Sequence, residues 1–422
     1  MRGPWRWVLV AALIGGSPAV ASEDDPDAGG FTGSHLPKIV FPADPPPDTS
    51  DELPPELAAK LQGPPKYAAR VYVGADALDL DPDFVNGVRE GLELLYRRQY
   101  QACRKHFRDL EQRFPGTAVG AVADTLVWQA LMLENFDLRY DKQYRVSAGE
   151  ARKGLEAALK QPGGEAWERM LLGGLVGIEA IHSLRQYEIV KALQLAFEAM
   201  DHIGRARELA PDFVDLQLAD GMYNYWRSVF TMTSSMLPAF EDKRAEGIRQ
   251  MQAVQRSGVF LTPLANMAMV YTWREEREYD RAIAACERNR QAYPDSIINN
   301  LLMGSTYVQM KKHAEALALF DEVRRVDPTN DRVRYLRGVA LLRSGELDPA
   351  KGELDAYLRS EHLEAYQRAN AHYRLGQLYD RQERHAEAHE QFKLAVKADG
   401  HKGAKRALDR LAERKKAGEI DY

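Results

Sequence analysis

Residues 297–330, IINNLLMGSTYVQMKKHAEALALFDEVRRVDPTN, decide how this chain folds. Counted from Ile297, a small residue falls at position 8 (Gly304) and another at 20 (Ala316). Large apolar residues fall at 11 (Tyr307) and 24 (Phe320), and a proline at 32 (Pro328). Apolar residues at three and four spacing on both sides of Lys311–Lys312 make two amphipathic helices. Small residues at 8 and 20 let the two helices approach closely, the bulky pair fills the remaining gap, and the proline ends the second helix.

The same positions recur 34 residues away in both directions. From Asp331 they give Gly338, Leu341, Ala350 and Leu354; from Pro263 they give Trp273, Ala282, Cys286 and Pro294. From Ala369, after four extra residues, they give Gly376, Tyr379, Ala388 and Phe392, and a fifth, upstream unit from Phe84 gives Gly91, Leu94, Cys103, Phe107 and Pro115. Repetition at this period is the mark of helical pairs stacked into an array, in which each unit buries its apolar face on its neighbours. With these offsets, the chain resembles the tetratricopeptide-repeat family. The resemblance implies an all-α fold, a right-handed superhelical solenoid of helix pairs.

Four regular units are expected over residues 263–400, a closing helix and tail over 401–422, and an irregular part with longer helices over 66–262. Within that part helices are expected near 118–135, 148–160, 165–184 and 187–210. A further unit counted from Val214 places Gly221 at position 8, but its second helix carries its small residue only at Gly247, followed by Met251. Residues 229–238, VFTMTSSMLP, then read as an insertion from which Phe230, Met232 and Met236 project toward a partner, since insertions in repeat arrays collect on one face. The alternative is that this apolar stretch is core.

Upstream, residues 1–21 read as a secretory leader: Arg2 and Arg6, an apolar run of about ten residues, then Ala-Val-Ala before Ser22. That run is too short to cross a bilayer, which takes about 20 residues. Export to a bacterial periplasm or cell envelope is expected. Residues 22–65, rich in Pro, Asp and Gly, read as an extended tether interrupted only by the apolar Ile39–Phe41. The whole chain carries a formal charge of −5, which excludes a basic nucleic-acid footprint. Two cysteines, Cys103 and Cys286, both at inward positions of separate units, read as buried thiols rather than a bridge.

Catalytic signatures are missing: there is no Gly-x-Ser-x-Gly, no phosphate loop and no dinucleotide fingerprint. The glycines of residues 171–177, LLGGLVG, suit close helix approach. His385 and His389 stand one helical turn apart without a third ligand, so neither a metal nor another cofactor is expected. What remains is recognition of protein or peptide partners. In tetratricopeptide arrays the concave groove is built from the first helix of each unit, and the resemblance places Met267, Tyr271, Leu301, Arg332, Tyr335, Arg343, Tyr373 and Arg381 there. The family's clamp for a C-terminal carboxylate needs Lys or Asn where this chain has Met267, Tyr271 and Leu302. Exported bacterial tetratricopeptide proteins of unassigned function are similar. Of a different class is an envelope accessory or catalytic factor with a site in residues 118–238.

Overall fold

A computed structural model describes residues 36–42, 52–186, 188–233 and 241–422. Among them lie α-helices and one 3₁₀ turn, with no strand. The helices are α1 (Pro55–Lys60), α2 (Ala69–Leu78), α3 (Pro82–Tyr96), α4 (Tyr100–Arg113), α5 (Val119–Asn135), α6 (Asp141–Ala158), α7 (Glu165–Arg185) and α8 (Ile189–Leu209). They continue with α9 (Gln217–Thr233), α10 (Arg244–Ser257), α11 (Thr262–Glu275), α12 (Tyr279–Ala292), α13 (Ile297–Gln309) and α14 (His313–Val326). The last are α15 (Asp331–Ser344), α16 (Leu347–Leu358), α17 (Ala365–Arg381), α18 (His385–Asp399) and α19 (Lys402–Lys416). The described residues divide into two compact units: 36–42 and 52–130 with 140–296, and 131–139 with 297–422.

The repeat signature does in space what the sequence asks of it. A Cβ built on Gly304 would lie 2.4 Å from the Phe320 ring, and one on Gly376 2.4 Å from Phe392. Position 8 of one helix therefore touches position 24 of the next at backbone distance, and only a hydrogen fits there. In the later unit each helix packs on the next, and α13, α15, α17 and α19 also touch in succession, as stacked hairpins require. One continuous apolar core, from Ile297 to Leu411, runs through them.

The repeats share a second feature. Arg98, Arg277, Lys311, Gly345 and Glu383 all have φ between 60° and 92°. Each is position 15 of its unit, where the hairpin reverses in a left-handed residue before the second helix starts. Only Gly345 adopts this conformation without steric cost. The unit counted from Val214 would put Ser228 at that position, but Ser228 is buried inside α9 and donates to the Asn224 carbonyl. With no reversal there, α9 runs on to Thr233. Gly221 and Gly247 still meet, a Cβ on either falling 2.7 Å or less from the other's carbonyl oxygen.

The earlier unit has an aromatic core. Trp167 of α7 packs edge-on against Phe84 at 5.6 Å and lies 5.5 Å from Phe260, which reaches Phe213 at 6.0 Å. Asp215 organises the turn beneath it: its buried carboxylate accepts from the backbone N–H groups of Val259, Phe260 and Leu261 at 2.9, 2.7 and 3.3 Å. Burial pushes this carboxyl up to about 6 even against those three donors. Helix α6 begins at Asp141, seven residues before the sequence pattern suggests, because its polar first turn is anchored by Asp141 bonding to Arg145 and His182. In the glycine run, Gly173 faces Ile203 and the Ala199 carbonyl of α8, a close helix contact.

The tether read for residues 22–65 is not uniform. Residues 55–60 are helical, opened by Pro54 and Pro55, and Lys60 pairs with Asp76 at 2.8 Å. Residues 36–42 are extended and lie on the earlier unit. The leader expected over residues 1–21 lies outside the described residues. Among the described residues, no helix is long and apolar enough to cross a membrane.

Candidate functional site

The residues expected to line a groove divide into two groups. Leu301 and Tyr335 are 1% exposed and belong to the continuous core; Tyr335 lies against Tyr357 at 5.3 Å. They fill the gap between stacked hairpins and do not line an open groove. This corrects the expectation at those two positions: the spacing of a first-helix face cannot distinguish the stripe touching the next unit from the stripe facing outward. Arg343, Tyr373 and Arg381 stay at or near the surface of the later unit. In the earlier unit Met267 and Tyr271 are half-buried on α11.

The two arginines form a repeated contact. Arg343 Nη1 donates to the Val308 carbonyl at 3.4 Å, and Arg381 Nη1 donates to the Leu342 carbonyl. Each is position 13 of its first helix and each reaches the position 12 carbonyl of the preceding one. A guanidinium has five N–H donors, so such a contact leaves donors on exposed Arg381 that face water. Tyr373 stacks on His401 at 4.4 Å and lies 5.8 Å from Phe392, which fixes its ring about two turns before Arg381 on α17.

Arg332 has a different setting. Its guanidinium covers the Phe136 ring at 4.6 Å, and its Nη1 donates to the Leu133 carbonyl at 3.1 Å. Around it Asn330 Nδ2 donates to the Glu134 carbonyl at 2.9 Å, and Gln367 Nε2 donates to the Phe136 carbonyl at 2.9 Å. Gln367 Oε1 also accepts from the Glu364 N–H at the start of α17. Residues 131–139, the end of α5 and its loop, therefore occupy the N-terminal ends of α15 and α17. Arg332 is engaged by its own chain and is not offered to a ligand. No local pattern announces this contact, since Asn330 and Glu134 are nearly two hundred positions apart.

Of the three insert residues, Met232 is half-buried within α9 and not in a loop. The side chain of Phe230 and the whole of Met236 lie outside the described residues. Val229, at the start of the supposed insertion, is completely buried.

Polar groups do converge between α6 and α7. His182 Nε2 meets the Asp141 carboxylate, Arg145 Nε donates to both Asp141 oxygens at 2.9 Å, and Gln186 Nε2 reaches Asp141 at 3.2 Å. Burial raises the Asp141 carboxyl, but His182 and Arg145 outweigh it and hold it below the usual range; burial pushes His182 down. An ionised Asp141 beside a neutral His182 already has three donors, while His182 Nδ1 is buried without a hydrogen-bond partner. Farther along, Arg152 joins Glu156, Glu179 and Glu198 across α6, α7 and α8. Cys103 and Cys286 are not bridged to each other and both are buried, and burial pushes each thiol up to about 12. His385 sits 3.2 Å from Asp380, whereas His389 lies against Tyr422 at 5.0 Å. Among the described residues no three His, Cys, Asp or Glu side chains are placed to hold a metal ion.

Residues 307–369 and 369–402 match two family models, both described as tetratricopeptide repeat. No curated protein matches the chain. Among solved structures, a tetratricopeptide repeat protein from Parabacteroides merdae is similar at 15% identity, covering 68% of this chain and 98% of its own, with a TM-score of 0.42. A human IFIT1 dimer with m7Gppp-AAAA is similar at 12% identity, covering 81% and 88%, with a TM-score of 0.49.

Proposed function

Because the chain carries tetratricopeptide repeats, which are in general a protein-protein interaction module, we propose that it is an exported scaffold whose later unit holds a segment of a partner polypeptide in the bacterial cell envelope. The observation that carries this reading is the arginine row: Arg343 and Arg381 anchor on the carbonyls of the preceding first helices. Cationic forks repeated along successive first helices suit an extended segment with acidic side chains or free carbonyls. The leader-like residues 1–21 support export. The enzyme alternative asks for convergent groups with open valences in residues 118–238. At Asp141 the carboxylate is already taken by three donors of its own chain.

The test is affinity purification from envelope fractions with the full chain and with Arg343→Ala plus Arg381→Ala. Loss of a co-purifying protein, with helical content unchanged, is the expected result. The same proteins at the same yield would remove the reading.

A further inference from the structure

Residues 36–42 lie against the turn ends of two hairpins in the earlier unit. Arg244, at the start of α10, has a side chain 0% exposed, and its Nη2 donates to the Pro37 carbonyl at 2.7 Å. The rest of that guanidinium is fixed by Glu276 and Asp242, each at 2.9 Å, and Glu276 in turn accepts from the Tyr225 hydroxyl at 2.9 Å. A buried, rigid arginine thus presents one N–H to an incoming backbone carbonyl. Four residues further on, the Phe41 ring meets Trp273 edge-on at 5.4 Å, and the Arg281 guanidinium lies 5.3 Å from Phe41 and 4.8 Å from Trp273.

The fit of this segment is incomplete. Between the two anchors Val40 is 91% exposed, and Arg281 Nη1 is buried without a hydrogen-bond partner. A ligand offering an acceptor at that nitrogen would gain a bond that residues 36–42 do not make. A rigid donor for a main-chain carbonyl, an aromatic slot one extended stretch away and an unfilled donor beside it are the parts of a peptide-recognition site.

We infer that Arg244, Trp273 and Arg281 form a second polypeptide-binding site, which the chain fills with its own residues 36–42 and which an extended segment bearing a phenylalanine enters in trans by displacing them. This rests on reading the chain as a polypeptide-binding module, but it concerns different residues from the arginine row. Covalent attachment gives the internal segment an effective concentration on the order of 1 mM, so it masks the site from weaker ligands.

The probe is a labelled synthetic peptide of residues 34–44, titrated by fluorescence anisotropy into the full chain. Phe41→Ala in the protein releases the internal segment without altering the receiving helices, and the peptide is expected to bind this variant about tenfold tighter than the wild type. A peptide with alanine at the Phe41 position should bind the same variant about tenfold more weakly. Adding Arg281→Ala to the protein, with an unchanged circular dichroism spectrum, should weaken the unmodified peptide equally. Equal binding to wild type and Phe41→Ala, or indifference to the alanine peptide, overturns the inference. Failure of the envelope purification leaves this titration unaffected, so the two readings fall separately.

Discussion

Replacing Gly304 by alanine is a test with an informative sign. In an ordinary exposed helix the change stabilises by about 1 kcal/mol, because alanine loses less backbone freedom on folding. Here the new Cβ would stand 2.4 Å from one Phe320 ring carbon and 2.8 Å from the next, against a carbon contact distance of about 3.5–4.0 Å. Phe320 is 0% exposed and within the continuous core, so its ring cannot swing into solvent. Overpacking of this kind costs about 1–3 kcal/mol, which offsets the propensity gain of about 1 kcal/mol and leaves Gly304→Ala destabilised by up to about 2 kcal/mol. Gly352 of α16 supplies the control: it is exposed, and a Cβ there meets nothing within 4 Å. Gly352→Ala should stabilise by up to about 1 kcal/mol. Urea unfolding followed by far-ultraviolet circular dichroism measures both, with midpoints moving in opposite directions at an unchanged slope. A Gly304→Ala midpoint that rises together with that of Gly352→Ala would refute the packing argument for position 8.

The left-handed residues offer a second test: Lys311→Gly relieves a φ of 61° and should stabilise by up to about 1 kcal/mol, whereas Gly345→Ala, at 92°, should lose about as much, both read from urea midpoints. Asp215 ties stability to pH. With its carboxyl raised to about 6 the folded state keeps a proton that the unfolded chain releases near 3.8, so this contribution is full below about pH 4 and is lost as pH rises through 6, by about 3 kcal/mol in all. Asp215→Ala should abolish that fall; by leaving three backbone N–H groups without their acceptor it should cost about 2–4 kcal/mol at pH 4, a penalty that narrows by about 3 kcal/mol as the wild type weakens toward pH 7; a wild-type midpoint flat between pH 4 and 7 would contradict it. Phe136→Ala removes a ring 2% exposed beneath Arg332 and should destabilise the later unit by about 3 kcal/mol or more in the same assay.

What the sequence makes legible is local and periodic. Gly304 with Phe320 and Gly376 with Phe392 are set by one helix and the next, and the offset of sixteen residues recurs at Gly338 with Leu354 and Gly91 with Phe107, whereas the unit from Pro263 has Val270 at position 8. The four extra residues before Ala369 are absorbed without loss of register, and Glu383 turns as Lys311 does. The arginine row is partly legible, because position 13 recurs; its carbonyl partners are a tertiary fact. What the pattern hides is contact between remote segments. Phe136 looks like the polar-flanked end of a helix, and Phe41 like a stray aromatic in a proline-rich stretch; their neighbours at Arg332 and Trp273 lie hundreds of positions downstream. The core positions Leu301 and Tyr335 were indistinguishable from groove positions because a helix has more than one apolar stripe.

The seating of residues 131–139 among α15 and α17 bears on how the chain is made. These residues leave the ribosome about 200 positions or more ahead of the helices that receive them, an interval on the order of ten seconds or more at ordinary rates of translation. Until then Met132 and Phe136, both fully enclosed in the finished fold, have nothing to pack on. A nascent chain halted before residue 330 carries that sticky end uncovered, so truncated products should engage holdases or aggregate, while a fragment beginning at Ile297 lacks the strip that closes Asn330, Arg332 and Gln367. Supplying residues 131–139 as a separate peptide should restore that fragment's solubility.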